Sequence, residues 1–439
     1  MTKKIIIFLT LILPAICYTT PPIETGMEYQ KNEQFTDAIT CYEEIVRNDP
    51  DNISAMFNLG GCYLAIGNIE KALDSFNGVI TISPDALPAL YNKAFTYKTM
   101  GDLDTAIELY KEIIQTNPDY EPAQLGLGFA YITQGNFELG WKQHERYLKQ
   151  SGKNGDKLRS LLRDNAVGYK KILLRPEGGL GDTLNFIRYA ERLKNMGANV
   201  IVACQKPLIP LLSRCTYIDH LIPCGVALPE HDADATLMSM PAIFADNDST
   251  VPQNIPYLFA DPQLIEYWNN RLAADTNFKI GICWQADIHN DIPSKLPIAR
   301  RGVPLQSFAP LSDINGVSFY SLQKHDGVEQ LATLPSHFQL HVFDNIDEQS
   351  GPFMDTAALI KNLDLVITVD TAIAHLAGGL GANVWLLLPY ATADWRWTCN
   401  RTDSCWYPTM RIFKQQNPFD YDGVIKNVYA ALQEFIAQH

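Results

Sequence analysis

The sequence lacks the features of several common protein classes. It has no long run of lysine or arginine, and its 49 acidic residues outnumber its 35 basic ones, for a formal net charge of −14. Because phosphate backbones attract basic surfaces, this balance argues against nucleic-acid binding. None of the nine cysteines forms a CxxC pair or a spacing typical of a zinc site. We therefore expect protein or small-molecule partners, no metal ion and no nucleic acid.

Long apolar runs are also scarce. Two lysines precede Ile5–Ile16, a run of about 12 residues that is too short to span a bilayer but typical of a signal-peptide core. Ala15 and Cys17 are small residues suited to cleavage after Cys17. We predict that residues 1–17 are a signal peptide or an anchor. The protein would then be exported or membrane-anchored in a periplasm or secretory compartment; the alternative is a cytoplasmic protein.

Removal of Cys17 would leave an even number of cysteines, which permits disulfides in an exported chain. Cys399 and Cys405 lie close together in the sequence and are the pair that we expect. Cys41, Cys62 and Cys283 fall in helical or strand patterns and are interpreted as small core residues.

Several independent positions repeat with one period of 34 residues. The recurring sets are Tyr29, Tyr63, Tyr97 and Tyr131; Ala38, Ala72 and Ala106; Pro50, Pro84 and Pro118; and Gly67, Gly101 and Gly135. Small residues allow two helices to approach, the glycine ends the first helix of a pair, and the proline ends the second. Because one helix pair cannot bury its own apolar face, such units stack into an α solenoid.

This pattern resembles the tetratricopeptide repeat (TPR) across residues 19–150, with units at 19–52, 53–86, 87–120 and 121–150. The last unit has Gly140 in place of the alanine and lacks the closing proline, so we expect it to cap the array against the next domain. The resemblance implies a groove that binds a protein partner. A spacer or a dimerisation arm is the alternative.

The remainder of the chain has an α/β pattern. Residues 151–168 form a polar connector that we expect to be helical, and the first strand–helix–strand series lies at Lys171–Arg175, Leu184–Met196 and Asn199–Cys204. A second series begins near Phe278. Its expected strands are Lys279–Trp284, Val317–Leu322, Leu340–Phe343, Leu363–Thr368 and Val384–Leu388. The sequence therefore predicts two Rossmann-like halves, at 169–262 and 277–415, and a closing helix in 416–439.

Two motifs in these halves resemble the heptosyltransferase-type glycosyltransferases of family 9. The first is Glu177-Gly178-Gly179-Leu180-Gly181-Asp182-Thr183, and the second is Val369-Asp370-Thr371-Ala372 followed by His375-Leu376-Ala377. The resemblance implies a GT-B fold, in which two Rossmann-like domains face each other across a cleft. It also implies metal-independent transfer of a sugar from a nucleotide-sugar donor to a glycan or protein acceptor, with no cofactor other than the donor substrate.

The resemblance also implies roles for particular residues. Asp182 would be the catalytic base, although an aspartate at this place is also a favoured helix cap. Gly179, Gly181 and Thr183 would form the turn on the acceptor side. The residues expected to hold the donor are Asp370, Thr371, Ala372, His375, Lys324 and Arg301, with Arg300 as the alternative to Arg301 because the arginine is doubled.

Two tryptophans are further candidates. Trp395 and Trp397 would stack on the nucleotide base or on a sugar, or else pack between domains. Some positions depart from the family pattern, among them Gln285-Ala286-Asp287. The alternative function is therefore a non-catalytic TPR scaffold with a degenerate GT-B domain.

Overall fold

The computed structural model describes residues 21–150, 155–287, 297–391, 394–397 and 401–438, without the side chains of 145–150. The predicted signal segment 1–17 lies outside these ranges, so export stays a prediction. None of the helices in the described part is long and apolar enough to cross a membrane. The chain divides into two compact units between Ala86 and Leu87.

The unit before Leu87 consists of helix hairpins. Its helices are α1 (Ile23–Lys31), α2 (Phe35–Asn48), α3 (Ile53–Ala65) and α4 (Ile69–Ile82). Ala38 and Ala72, the small residues of the repeat pattern, are fully buried, as is Phe76. Gly67 has a φ of 78° just after α3, the left-handed conformation that ends a helix without a Cβ clash.

The second unit begins with further hairpins that follow the same pattern. Its first helices are α5 (Leu87–Met100), α6 (Leu103–Thr116), α7 (Glu121–Gln134), α8 (Phe137–Gln150) and α9 (Asp156–Arg163). Gly101 and Gly135 have φ values of 85° and 91° after α5 and α7. The predicted helix–glycine–helix units are thus present in both parts of the chain.

The first sheet follows α9. Its strands are β1 (Lys171–Arg175), β2 (Asn199–Cys204), β3 (His220–Pro223) and β4 (Ala233–Thr236), and its helices are α10 (Leu180–Phe186), α11 (Arg188–Asn195), α12 (Ile209–Leu212), α13 (Met240–Phe244) and α14 (Pro262–Leu272). The strands are parallel, in the order β3-β2-β1-β4. β1 and β2 have the predicted bounds.

The second sheet is also parallel. Its strands are β5 (Phe278–Cys283), β6 (Val317–Ser321), β7 (Leu340–His341), β8 (Leu365–Val369), β9 (Val384–Leu388) and β10 (Met410–Lys414), and its helices are α15 (Met354–Ile360), α16 (Ala372–Gly379) and α17 (Tyr421–Ile436). The order is β10-β9-β8-β5-β6-β7. The predicted α solenoid followed by two parallel-sheet α/β halves is therefore confirmed.

The last repeat packs against the first α/β half, as predicted for a cap. The indole Nε1 of Trp141, on α8, donates a hydrogen bond to the carbonyl oxygen of Asp246 at 2.5 Å. Ile132, Phe137 and Trp141 belong to the same buried apolar cluster as β1 and β2. One continuous core therefore runs from the last repeat into the first sheet.

Two predictions are corrected. The helix expected at Leu184–Met196 begins at Leu180 and is interrupted at Ile187, because the glycine-rich segment forms the first helical turn instead of preceding it. Cys405 is a free, buried thiol, which contradicts the expected disulfide with Cys399; the latter residue lies outside the described part of the chain.

Candidate active site

Helices α10 and α16 bring the carboxyl edges of the two sheets together. Each helix directly follows a strand, β1 and β8 respectively, and the two helices pack against each other. The approach is close at Gly181, where an added Cβ would lie 2.9 Å from Cδ2 of His375 and 3.6 Å from Cα of Ala372. In open parallel sheets, ligands bind at this carboxyl edge.

Asp182 lies in the first turn of α10, with both carboxylate oxygens in contact with other groups. Oδ2 accepts a hydrogen bond from the backbone N–H of Gly179 at 2.7 Å. Oδ1 lies 2.9 Å from Nη1 of Arg396. Gly178 has a φ of 80°, and a Cβ there would collide with the Asp182 carboxylate. Asp182 therefore caps the helix from its third position, and it also faces the second α/β half.

Arg396 is the basic residue at the centre of this contact. Its side chain is only 7% exposed, and its Nε donates to Oδ1 of Asp394 at 2.9 Å while Nη2 donates to Oδ2. Burial opposes ionisation of Asp394, but Arg396 outweighs it and lowers the pKa of Asp394 to about 2. Burial likewise acts against the guanidinium, yet Asp394 and Asp182 hold the pKa of Arg396 well above its usual range.

His375 and Asp370 are buried beside this ion pair. Nδ1 of His375 lies 2.8 Å from the Tyr407 hydroxyl, and its Nε2 lies 3.9 Å from Oδ1 of Asp370. Burial, reinforced by Arg396, lowers the pKa of His375 well below its ordinary value, so the ring is neutral. Burial raises the pKa of Asp370 even though Arg301 lies near it.

Arg301 is the one of the two adjacent arginines that reaches the second motif. Its Nη1 lies 3.5 Å from Oδ2 of Asp370, whereas the charge of Arg300 acts on Tyr421 in α17. Thr371 is the N-cap of α16, and its Oγ1 accepts a hydrogen bond from the N–H of Ile373 at 3.2 Å. The start of α16, where Ala372 is the first helical residue, therefore supplies a helix dipole next to a guanidinium, while the N–H groups of Ile373 and Ala374 are bonded to Thr371.

Two of the predicted site residues, Lys324 and Thr183, contact residues outside the cluster around Arg396. Lys324 Nζ donates to the carbonyl oxygen of Ile346 at 2.6 Å and lies 3.8 Å from Asp347. Thr183 is fully buried in α10, and its hydroxyl donates to Gln205 at 2.9 Å. Thr183 thus lies within helix α10 and not in a turn before it.

The two tryptophans are buried, as in the packing alternative. Trp395 stacks on Phe129 of α7, with ring centroids 6.3 Å apart, and meets Trp141 of α8 edge to face at 5.3 Å. Trp397 stacks on His375 at 5.7 Å. Trp395 is therefore a contact between the last repeat and the α/β part, and Trp397 packs on the buried ring of His375.

The sequence predicted no ion pair or hydrogen bond for three residues of this group: Asp394, Arg396 and Tyr407. Tyr407 accepts a hydrogen bond from Nδ2 of Asn185 at 2.7 Å, in addition to its contact with His375. The available signal was an aspartate and an arginine within a run of tryptophans, because charges among buried aromatic side chains are almost always paired.

Comparisons with known proteins agree with this architecture. Residues 23–86 and 97–139 each match a family model described as Tetratricopeptide repeat. The helical array is a TPR array. Over 190 residues the chain is 27% identical to Protein FlbA of Caulobacter vibrioides, an alignment that covers 42% of this chain and 30% of that protein. The aligned part is less than a third of that relative's own length.

Solved structures similar to the α/β part include two glycosyltransferases. A glycosyl transferase family 9 protein from Veillonella parvula has a TM-score of 0.45 at 12% identity, and the match covers 62% of this chain and 98% of that chain. The E. coli ADP-heptose lps heptosyltransferase II has a TM-score of 0.41 at 14% identity, covering 60% of this chain and 99% of that chain. The chemistry of this chain must be inferred from its own residues.

Proposed function

We propose that this protein transfers a sugar from a nucleotide-sugar donor to a hydroxyl group of a glycan or protein acceptor. The observation that carries the proposal is the meeting of α10 and α16 at the carboxyl edges of two parallel sheets. There Asp182 contacts Arg396, and the charge of Arg396 also acts on the buried pair His375 and Asp370. A carboxylate and a set of cationic and N–H groups on facing elements are what glycosyl transfer requires.

The two α/β halves would contribute different groups to the reaction. The Asp182 carboxylate would take the proton of the acceptor hydroxyl while the hydroxyl oxygen attacks the anomeric carbon of the donor sugar. The bond from that carbon to the donor diphosphate breaks, and the diphosphate leaves with the electron pair. Arg301 and the dipole at the start of α16 would stabilise the departing negative charge. We expect no metal ion to be required.

The TPR array would select the acceptor or bind a protein partner. TPR hairpins expose one helix face for recognition, and here the last hairpin packs on the α/β half that carries Asp182. An acceptor held by the repeats could therefore be presented to the same edge of the first sheet.

One observation favours a second candidate, a non-catalytic scaffold. Both oxygens of Asp182 already have partners, Gly179 and Arg396. A carboxylate that is fully used in capping and ion pairing can serve structure alone. Under this reading the α/β part would bind no donor, and the repeats would carry the function.

The deciding experiment uses the full chain with a panel of nucleotide sugars, and it measures nucleotide release and the shift in melting temperature. Asp182→Asn keeps a cap acceptor for Gly179 but cannot take a proton, so we expect the rate to fall by about 100-fold or more. Asp420→Asn is the matched control, because Asp420 caps α17 through the N–H of Gly423 and lies outside the site.

The possible outcomes separate the two candidates. Release of nucleotide by the wild type and by Asp420→Asn, but not by Asp182→Asn, supports the transferase. An unchanged rate of nucleotide release by Asp182→Asn would show that Asp182 is not the catalytic base. If the wild type turns over no donor, and if no donor raises its melting temperature, the protein is a non-catalytic scaffold.

A further inference from the structure

We propose that the last TPR hairpin is part of the active site: it holds Trp395, and thereby Arg396, so that Arg396 positions the carboxylate of Asp182. The inference rests on the proposed function for its catalytic consequence, but its structural core can be tested without turnover. Arg396 is here a positioning residue, since it acts through Asp182.

Adjacent side chains in residues 394–397 point to different parts of the protein. Trp395 contacts the repeat helices through Phe129 and Trp141, while Arg396 contacts Asp182 of α10. Asp394 holds Arg396 by two parallel contacts, to Nε and Nη2, and also accepts the backbone N–H of Arg396 at 2.8 Å. A shift of Trp395 would therefore move the guanidinium.

Trp395 has aromatic contacts with both the repeats and the α/β part. Besides Phe129 and Trp141, its ring stacks on Phe186 of α10 at 5.9 Å and meets Trp406 edge to face at 5.8 Å. Such aromatic pairs contribute beyond their buried area. The tryptophan is 5% exposed, so its orientation is fixed by partners from α7 and α8 together with partners from the α/β part.

Arg396 is buried on its side of the contact, whereas Asp182 is partly exposed. The guanidinium carbon of Arg396 lies 5.6 Å from the ring centroid of Phe186 and 6.0 Å from that of Trp395. Asp394 holds one edge of the planar guanidinium, and Nη1 forms an ion pair with Asp182 Oδ1 at 2.9 Å, without the geometry of a hydrogen bond. Because proton transfer depends on sub-ångström placement, loosening this partner should reduce the rate of the chemical step more than donor binding.

The experiment compares two phenylalanines that occupy the same place in successive repeats. Phe129 on α7 and Phe95 on α5 are one 34-residue period apart and both half-buried. Only Phe129 stacks on Trp395; the ring contacts of Phe95 are with Tyr91 and Lys98. Phe95→Ala is therefore the matched control for Phe129→Ala. Each full-length variant is assayed for kcat, donor KM and amide hydrogen exchange.

We expect Phe129→Ala to lower kcat about 10-fold with little change in donor KM, and to speed amide exchange in residues 178–186 relative to Phe95→Ala. Arg396→Lys should give the same pattern, because lysine cannot hold both Asp394 and Asp182. Trp395→Phe keeps an aromatic ring, so its kcat and its amide exchange in residues 178–186 should lie between those of the wild type and of Phe129→Ala. It replaces Phe129→Ala as the test variant if that variant does not fold.

Equal exchange in residues 178–186 for Phe129→Ala and Phe95→Ala would overturn the inference, as would a change confined to donor KM. The absence of turnover in the wild type would instead overturn the proposed function. In that case the exchange comparison still tests whether the repeat holds the Asp182 turn.

Discussion

Two glycines of the first motif have different surroundings although they are two residues apart. A Cβ at Gly181 would meet the buried His375 ring at 2.9 Å, whereas a Cβ at Gly179 would find only an Asp182 oxygen, at 3.7 Å. Gly179 also has an ordinary φ of −84°. Only Gly181 is therefore required to be small by the packing of α10 on α16.

We predict that Gly181→Ala destabilises the protein by about 1–3 kcal/mol, because His375 is buried and is held by Tyr407 and Trp397. Gly179→Ala should cost less than about 1 kcal/mol, the difference between two N-cap residues. Urea unfolding followed by circular dichroism measures both. Equal losses in the two variants would mean that the close approach of α10 and α16 does not limit stability.

At the scale of single elements, the sequence predicts those strands and helices whose pattern is strong. β1, β2 and β9 are short apolar runs with the predicted bounds. β3 was missed because it is exposed to partly buried along its length and begins with His220, so it shows no apolar run. The start of α10 was missed because its glycines are usual in turns; here they are needed for contact with α16.

The candidate site could be predicted only in part. Motif resemblance singled out Asp182, Asp370 and His375 as candidates, and the structure places all three around Arg396. The pairing of Asp182 with Arg396 could not be predicted, because it joins distant parts of the chain and depends on how residues 394–397 pack on the repeat helices. A motif resemblance shows which residues a chain shares with a family, whereas the contacts of those residues depend on tertiary packing.

Helix α3 contains two neighbouring glycines for which we predict opposite effects. A Cβ at Gly60 would lie 2.7 Å from the ring of the buried Phe76, but at Gly61 the nearest atom is Nε2 of Gln30 at 3.9 Å. Gly60→Ala should therefore destabilise the protein by about 1–3 kcal/mol. Gly61→Ala should stabilise it by about 0.5–1 kcal/mol, since alanine loses less backbone entropy in a helix.

Thermal unfolding of the two alanine variants measures these effects. Each variant is the control for the other, because both place the same methyl group in the same helix. A lower melting temperature for Gly61→Ala would show that the open space beside it does not persist in solution.

At the scale of the whole molecule, Arg188 joins the two α/β halves. Its guanidinium donates to the carbonyl oxygens of Asn185, Pro252 and Trp406 at 2.7, 2.8 and 2.6 Å, and to the Tyr257 hydroxyl at 2.8 Å. It is 1% exposed and lies 4.7 Å from the ring centroid of Tyr407. A buried cation with carbonyl partners from both halves fixes their mutual position.

We predict that Arg188→Lys costs about 3–5 kcal/mol, because lysine cannot reproduce the planar set of donors and leaves buried carbonyl groups unpaired. Arg271→Lys is the control: Arg271 lies on the exposed side of α14, and its replacement should cost less than about 1 kcal/mol. The measurement is the free energy of unfolding in urea. Similar losses in both variants would contradict a central role for Arg188.

The boundary between Ala86 and Leu87 divides the TPR array into parts with different freedom to diverge. The hairpins α1–α4 belong to a compact unit that contains none of the site residues, whereas α7 and α8 contact Trp395 and share the core of the first sheet. Whole 34-residue units could be gained, lost or exchanged before Leu87 during evolution without a change in the contacts of the candidate site. The same changes in α7 or α8 would alter the contacts of Trp395, which is next to Arg396 in the sequence, so we expect the repeats to diversify mainly at the start of the array.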